Sequence, residues 1–237
     1  MLPLLQSEYE LLFTHGSRRM IPIDDETWRV LTITHDLLVQ RDAPRLLDVG
    51  AGIGTFTLLA AVIPSLGVWA FEPNPEILPL LRWNVTSEGL VDRVIISEKA
   101  ALDIPCETWL NLPDHQGQIG LATIGTPNFK SSHRHKVQAV TLDAELLPTF
   151  ALDVIKIDVE GAELPALVGA SRLIECHSPA LVIEVQDKRT MQFGYKSHRI
   201  TDLLTGWGYQ WRGIGKRDLL FWKRPEHDPA KLEKALC

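Results

Sequence analysis

Apolar residues run along this chain in two alternating rhythms. Short continuous runs such as Leu46-Leu47, Val68 to Phe71 and Leu181 to Ile183 read as buried strands. Between them, stretches such as Phe56, Leu59, Ala60 and Ile63 place apolar side chains at helical spacing. The pattern predicts strands at 45–49, 67–71 and 92–97 with helices at 53–63 and 75–88. Pro64 ends the first of those helices, and Pro75 after Asn74 starts the second. Upstream, Asp24 or Asp25 is placed to cap a helix across 26–40, with Trp28, Leu31, Thr34 and Leu38 on its apolar stripe.

The rhythm breaks over 103–136, which is rich in Pro, Gly, His, Asn and Ser and reads as an insertion with one or two short strands near 117–124. It then resumes as a strand at 136–142, a helical turn near 143–147, a strand at 152–158 and a helix at 161–175. A strand at 180–185 follows, then a helix at 198–206 with Ser197 as its candidate cap. Strands at 208–214 and 218–223 are joined by a turn at 215–218. Alternation of this kind predicts an α/β fold: a doubly wound, mostly parallel, seven-stranded Rossmann-like sheet ending in an antiparallel hairpin. The expected organisation is a cap segment and helix at 1–43, a domain at 44–224 and a polar tail at 225–237 with a frayed helix near 231–235. No repeat or low-complexity segment interrupts it.

The strand at 45–49 runs into Asp48-Val-Gly50-Ala51-Gly52-Ile-Gly54, and Glu72 stands at the tip of the next strand, followed by Pro73 and Asn74. Glycines here let the chain turn sharply and let a ligand lie against bare backbone. A carboxylate at the second strand tip can hold both hydroxyls of a ribose. A nucleoside cofactor is therefore expected at the C-terminal edge of the sheet. Nicotinamide and flavin dinucleotides favour G-x-G-x-x-G, with a pyrophosphate at a helix N-terminus. The spacing here is G-x-G-x-G, and Asp48 would repel a pyrophosphate. It suits a cationic ligand, and S-adenosylmethionine carries a sulfonium, an ammonium and no phosphate. Asp48-x-Gly50-x-Gly52-x-Gly54 resembles the first motif of class I methyltransferases that use this cofactor, and Glu72 matches their second. Cofactor contacts are expected from Asp48, Gly50, Ala51, Gly52, Gly54, Glu72, Pro73 and Asn74. By the same resemblance the turn after the third strand lies beside the adenine, where Glu98 or the Ala100 backbone would meet its amine.

Composition narrows the rest. The 237 residues fit one decorated domain, with 45% hydrophobic and 23% charged residues as in ordinary globular proteins. A net charge of −6 gives no overall electrostatic footprint for nucleic acid, although a local basic patch is compatible with it. No apolar run has membrane-spanning length, and the first residues do not read as a signal peptide, so a cytoplasmic location is expected. Cys106, Cys176 and Cys237 lack metal-ligand spacing and read as reduced thiols.

Ile155-Lys-Ile-Asp-Val-Glu-Gly-Ala-Glu-Leu164 resembles the hallmark of FkbM-type methyltransferases. Leu47 to Thr55, Phe71-Glu-Pro-Asn-Pro75 with Asn84, Thr141-Leu-Asp143, Pro179 to Glu184 and Gly208-Tyr209 are similar to the same family and fall in its order. The resemblance spans roughly 44–222 and leaves the first 24 residues and 104–136 without a counterpart. It implies transfer of a methyl group from S-adenosylmethionine to an oxygen, often a hydroxyl of a small molecule, sugar or glycan.

An aliphatic hydroxyl needs its proton removed, so a base or a metal is expected at the acceptor. Asp158, Glu160 and Glu184 lie at strand ends on the ligand-binding edge. If the strand persists, its period of two puts Lys156, Asp158 and Glu160 on one side. Asp158 is the first choice of base. The alternative is a divalent cation such as Mg²⁺ held by Asp158 and Glu184. Glu160 and Glu163 fit equally well as a helix N-terminus stabilised by its dipole. His133, Arg134, His135 and Lys136 read as a solvated basic loop, with a lid over an anionic acceptor as the sharper alternative. His15, Arg18 and Arg19 read as surface, or as an acceptor clamp. Trp207, Trp211 and Trp222 read as core or dimer surface, and Trp69 and Trp83 as core. Three rival functions are a nucleic-acid ribose 2′-O-methyltransferase, an NAD-dependent oxidoreductase and an inert cofactor-binding protein on the same fold. The oligomeric state is not legible in the sequence.

Overall fold

The computed structural model describes residues 23–114, 121–127, 130–146 and 151–230. A seven-stranded sheet is its centre. In chain order its strands are β1 (Arg45–Val49), β2 (Gly67–Phe71), β3 (Val94–Ser97), β7 (Val154–Ile157), β8 (Ala180–Glu184), β9 (Gln210–Gly213) and β10 (Asp218–Trp222). Their spatial order is β3-β2-β1-β7-β8-β10-β9. All neighbours are parallel except β10, which runs antiparallel to both β8 and β9. The last strand of the hairpin therefore inserts between β8 and its own partner. Connections leave β1 toward β2 and those leaving β7 go the other way, so a crevice opens between β1 and β7 at the C-terminal edge, the switch point where ligands bind.

Strand parity divides the core. Leu46, Val68, Val154, Val182 and Leu220 face one apolar layer with Val30, Leu31 and Leu38 of helix α1 (Asp25–Leu38). Leu47, Phe71, Ile155, Ile157 and Phe221 face the other, with Leu173, Ile200 and Leu204. Asp24 caps α1, its carboxylate accepting from Thr27 N at 2.8 Å. The remaining helices are α2 (Leu59–Val62), α3 (Leu78–Ser87), α4 (Leu142–Glu145), α5 (Glu163–Val168), α6 (Ser171–His177), α7 (Asp187–Thr190) and α8 (His198–Gly206).

Several expectations are corrected. The helix predicted at 53–63 is regular only over α2. Residues before it wind in tighter turns, with Leu59 N bonding Phe56 O and Ala60 N bonding Thr57 O. The helix predicted at 161–175 is two helices; at the junction the Gly169 carbonyl accepts from Asp143 N at 2.9 Å, and a Cβ on Gly169 would lie 2.1 Å from the Leu102 carbonyl oxygen. Ser197 does not cap α8. Its backbone is already helical, and its N–H donates to Asp187 Oδ1 at 2.8 Å.

The largest departure is the insertion. It holds strand β5 (Cys106–Leu112), and β6 (His133–Val140) begins earlier than expected. With β4 (Ala100–Ala101) they form a separate three-stranded sheet in the order β4-β6-β5. Only Leu110, Leu112, Val137 and Ala139 of β5 and β6 are buried, so His133 to Lys136 carried no apolar signal of a strand. Of the stretch expected to hold strands near 117–124, residues 117–120 lie outside the described residues, and Thr123 makes a single bridge to Asn111. The predicted helix near 231–235 also lies outside them. Among the described residues no helix is long and apolar enough to cross a membrane. Cys106 and Cys176 are free thiols.

Asp143, in α4, accepts from Arg172 N at 3.0 Å and Leu173 N at 2.9 Å, so a residue distant in sequence satisfies the first turn of α6. Asp143→Ala is expected to cost about 1–2 kcal/mol. A urea titration should show a lower midpoint with an unchanged slope.

Candidate active site

The glycine turn follows β1 directly. Gly50, Gly52 and Gly54 have φ of +81°, +57° and +101°. A Cβ on Gly50 would stand 1.8 Å from the Asp158 carbonyl oxygen, so the turn closes against the end of β7 with no room for a side chain. Gly50 N and Ala51 N both bond Phe71 O, at 2.9 and 3.0 Å, which ties the turn to the end of β2. Beyond β2, the Glu72 carboxylate accepts from Gly52 N at 2.7 Å and Asn74 N at 2.8 Å. Asn74 is buried and its Oδ1 accepts from Glu76 N, which shapes the turn through Pro73. Asn84 reaches back from α3 to Ile53 O at 2.7 Å.

Asp48 is 1% exposed and accepts from Thr57 Oγ1 at 2.6 Å. Burial pushes its carboxyl up to about 6, with the Thr57 hydroxyl and the Lys156 charge pulling the other way. Burial likewise pushes Glu72 up to about 7 against its two backbone donors. Ala100 is buried in β4, paired with Ala139, so its backbone belongs to the second sheet. Glu98 pairs with Arg82 on the surface instead of turning toward the crevice.

The acids after β7 part company. The strand ends at Ile157, so the period of two does not carry Glu160 to the side of Asp158. Glu160 has a φ of +54°, uncommon for a residue with a side chain, and its carboxylate turns to Arg189 Nε at 2.8 Å. Burial and the Asp158 charge raise it to about 7, while Arg189 opposes them. Gly161 follows at φ +113°, where a Cβ would stand 2.6 Å from Arg189 O. Glu163 is buried and accepts from Gly161 N at 2.9 Å. Tyr195 Oη donates to Gly161 O at 2.7 Å and accepts from Leu164 N at 3.1 Å. Burial raises Glu163 to about 7 and pushes the Tyr195 hydroxyl upward. Thr123, from the insertion, donates to Glu160 O at 3.1 Å. This loop is held in a strained shape from three directions, as at many functional sites.

Asp158 and Glu184 do come together. They line an open cleft with Asp24, Thr27, Phe56 and Lys156, beside Arg217 and Asp218. Lys156 is 2% exposed, with Nζ 3.6 Å from Asp158 Oδ2 and 4.0 Å from Asp218 Oδ1. Burial alone would lower its ammonium, but the charges of Asp158, Asp218, Glu184 and Asp48 outweigh burial and raise it. Glu184 forms an ion pair with Arg217 Nε at 2.9 Å and accepts a hydrogen bond from Gln186 Nε2 at 3.0 Å. Burial, followed by the charge and hydrogen bond of Asp158, pushes it up to about 8. Asp218 is raised by burial. A divalent cation fits this donor set poorly, because Lys156 and Arg217 already meet the negative charge. Among the described residues no three His, Cys, Asp or Glu side chains converge on a metal position.

Arg189, Tyr195, Arg217 and Asp218 were not legible as site residues. Asp218 alone left a trace, as an acid at the mouth of an apolar strand. His133 and His135 pair with Asp114 and Glu76. Trp222 is buried, Trp207 and Trp69 are part-buried against the core, Trp211 is exposed, and Trp83, expected in the core, is 43% exposed. His15, Arg18 and Arg19 lie outside the described residues.

The strand order, the glycine turn and the acid beyond β2 define the Rossmann-like fold of class I methyltransferases. Residues 48–211 match the family model for the methyltransferase FkbM domain, and the chain belongs to that family. It is 25% identical over 180 residues to the hexuronic acid methyltransferase AglP of Haloferax volcanii, covering 68% of this chain and 67% of that protein. It is 37% identical over 78 residues to the release factor glutamine methyltransferase of Deinococcus radiodurans, covering 32% of this chain and 28% of that one. The crystal structure of methyltransferase FkbM from Methylobacillus flagellatus superposes with a TM-score of 0.52 at 20% identity, covering 92% of this chain and 59% of that one. The chain thus spans less than two thirds of two of these three relatives. Family membership implies S-adenosylmethionine as cofactor, and the bare glycine turn facing the Glu72 carboxylate fits its nucleoside.

Asp48, Glu72, Glu160 and Glu163 have folded-state pKa values raised to between about 6 and about 7. Each binds its proton more tightly folded than unfolded. The stability they add is complete below the ordinary carboxylate range and is lost as pH rises through 6–7. Urea midpoints of the ligand-free protein should therefore fall between pH 5 and pH 8. Glu163→Gln, which cannot ionise, should flatten that fall. His227, depressed to about 4 by burial, acts in the separate window below the ordinary histidine value.

Proposed function

We propose that the protein transfers a methyl group from S-adenosylmethionine to a hydroxyl oxygen of a small molecule, sugar or glycan. The observation that carries this reading is the backbone contact of the glycine turn with Asp158, whose side chain lines the neighbouring cleft. A cofactor on the turn and an acceptor in the cleft would meet at that residue. When bound, the cofactor supplies an electrophilic methyl on cationic sulfur.

The chain's own residues do the rest. Gly50, Ala51, Gly52 and Gly54 give the cofactor bare backbone, and Glu72 with Pro73 and Asn74 holds the ribose. Asp48, buried beneath the turn, keeps a negative potential under the cofactor's ammonium, and Ala100 borders the adenine side. Asp158 takes the acceptor hydroxyl proton as general base. Glu184 shares its charge environment, and Glu160 holds the loop through Arg189. Much of the rate comes from keeping acceptor and methyl in line at contact distance. The resemblance to a hexuronic acid methyltransferase supports a sugar among the acceptors.

Calorimetric titration with S-adenosylhomocysteine tests the cofactor half, with NAD as the control ligand. Binding of the homocysteine product alone is expected. Glu72→Ala should weaken it by about 10- to 100-fold, the worth of one or two charge-assisted hydrogen bonds. Preferential binding of NAD would overturn the reading. Against an accepted hydroxyl substrate, Asp158→Ala should lower kcat by about 100-fold or more while leaving homocysteine-product binding within a few-fold.

A further inference from the structure

Lys156 lies in the middle of β7, and its side chain points to the layer of α1, where it lines the cleft. It is 2% exposed, and Nζ stands 5.2 Å from the centre of the Phe56 ring. Among the described residues it is ion-paired with Asp158 Oδ2 at 3.6 Å and Asp218 Oδ1 at 4.0 Å. Both separations carry charge attraction, and both exceed the reach of a hydrogen bond. An ammonium has three N–H donors and no acceptor. Those of Lys156 meet charge, but no hydrogen-bond acceptor among the described residues. The cleft therefore holds a buried donor group with two carboxylates beside it.

A hydroxyl suits these two gaps. Its oxygen accepts from the ammonium and its proton goes to a carboxylate, and two hydrogen bonds of about 2.8 Å span such a gap. Two neighbouring hydroxyls fill both at once, one between Lys156 and Asp158, the other between Lys156 and Asp218. Groups of a single polarity do worse. A protonated amine only donates and stands against Lys156. A carboxylate or phosphate only accepts and stands against Asp158 and Asp218. Arg217 gives an anion little help, because it is half-exposed and already ion-paired with Glu184 at 2.9 Å. Asp24 and Glu26, at the start of α1, add two more carboxyls to the lining. With Glu184 protonated, as burial favours below about 8, four carboxyls still face two cations. Val30 and Phe56 supply an apolar wall for the carbon face of a ring.

We infer that the cleft takes a neutral polyhydroxyl acceptor, an uncharged sugar with adjacent hydroxyls, and that Lys156 binds it by donating to the hydroxyl oxygens. Acidic sugars are disfavoured, so the acceptor differs in charge from the one named for the hexuronic acid methyltransferase relative. The inference rests on the methyl-transfer reading of the cleft as the acceptor site. There the hydroxyl beside Asp158 gives its proton to that carboxylate as the new C–O bond forms. The C–S bond breaks with its electron pair remaining on sulfur.

The test reads binding and needs no turnover. The full chain is mixed with the methyl glycosides of glucose, galactose and mannose, and separately with those of glucuronic, galacturonic and mannuronic acid. Saturation-transfer NMR titrations are run with and without S-adenosylhomocysteine. At least one neutral glycoside is expected to bind, and its acidic counterpart to bind at least about 10-fold more weakly. Lys156→Met should weaken the neutral glycoside by about 10-fold or more, the worth of a charge-assisted hydrogen bond. If that variant does not fold, Glu26→Lys serves instead. It reverses a charge in the lining and should raise affinity for the acidic glycosides several-fold, a gain that misfolding does not produce. Acidic glycosides binding as tightly as neutral ones, no glycoside binding, or binding indifferent to both substitutions would overturn the inference. Calorimetry with S-adenosylhomocysteine on the same samples reads the cofactor separately. Binding of that product without any neutral glycoside sinks this inference alone, whereas its failure to bind sinks the methyl-transfer reading.

Discussion

The site depends on one close approach. The turn after β1 and the residue after β7 touch backbone to backbone, because Gly50 has no side chain and a conformation that side chains rarely adopt. Asp158 N also bonds Val49 O at 2.9 Å, extending the β1–β7 ladder to the edge of the crevice. That contact brings the glycine turn and Asp158 into register. The parallel pairing of β1 with β2 and β7 supplies the rest, since it delivers three strand ends to one edge.

Around this contact the protein buries charge and compensates it with charge. Asp48, Glu72 and Glu163 are nearly inaccessible, yet each accepts hydrogen bonds from a hydroxyl or from backbone N–H groups. Lys156 answers several carboxylates at once. Removing one member of such a set costs more than the set contributes as a whole, because the partner left behind is buried without compensation. The arrangement spends stability at neutral pH to keep polar groups fixed where charge must move. It also explains why the loop after β7 tolerates a left-handed Glu160: Arg189, Thr123, Glu163 and Tyr195 hold it from separate segments.

The insertion adds to the family framework without entering the main sheet. Its sheet packs Leu110, Leu112, Val137 and Ala139 with Ala162 of the loop after β7, and Thr123 bonds Glu160 directly. His135, on β6, meets Glu76 just past the turn after β2. Thus one segment touches both the turn after β2 and the loop after β7.

The alternation of apolar runs and helical spacing was enough for the main sheet, because buried parallel strands must be continuously apolar and their crossovers must be helical. The glycine turn, Glu72 and the run 155–164 were legible for a related reason: few residue types satisfy a left-handed turn or a strand-end acid. What escaped the sequence was everything set by partners distant along the chain. Strands β5 and β6 bury only a few side chains and so lack a strand's apolar signature. Gly169 stands at the junction of two helices where Leu102 leaves no room for a side chain. Glu160 leaves the side of Asp158 because β7 stops one residue short of it. Lys156 becomes the neighbour of Glu184 when β8 pairs with β7, and of Asp218 only when β10 folds back against β8. Local spacing determines which residues reach the edge of the sheet. Which charges then face one another is decided by strand order, and strand order is a property of the packed whole.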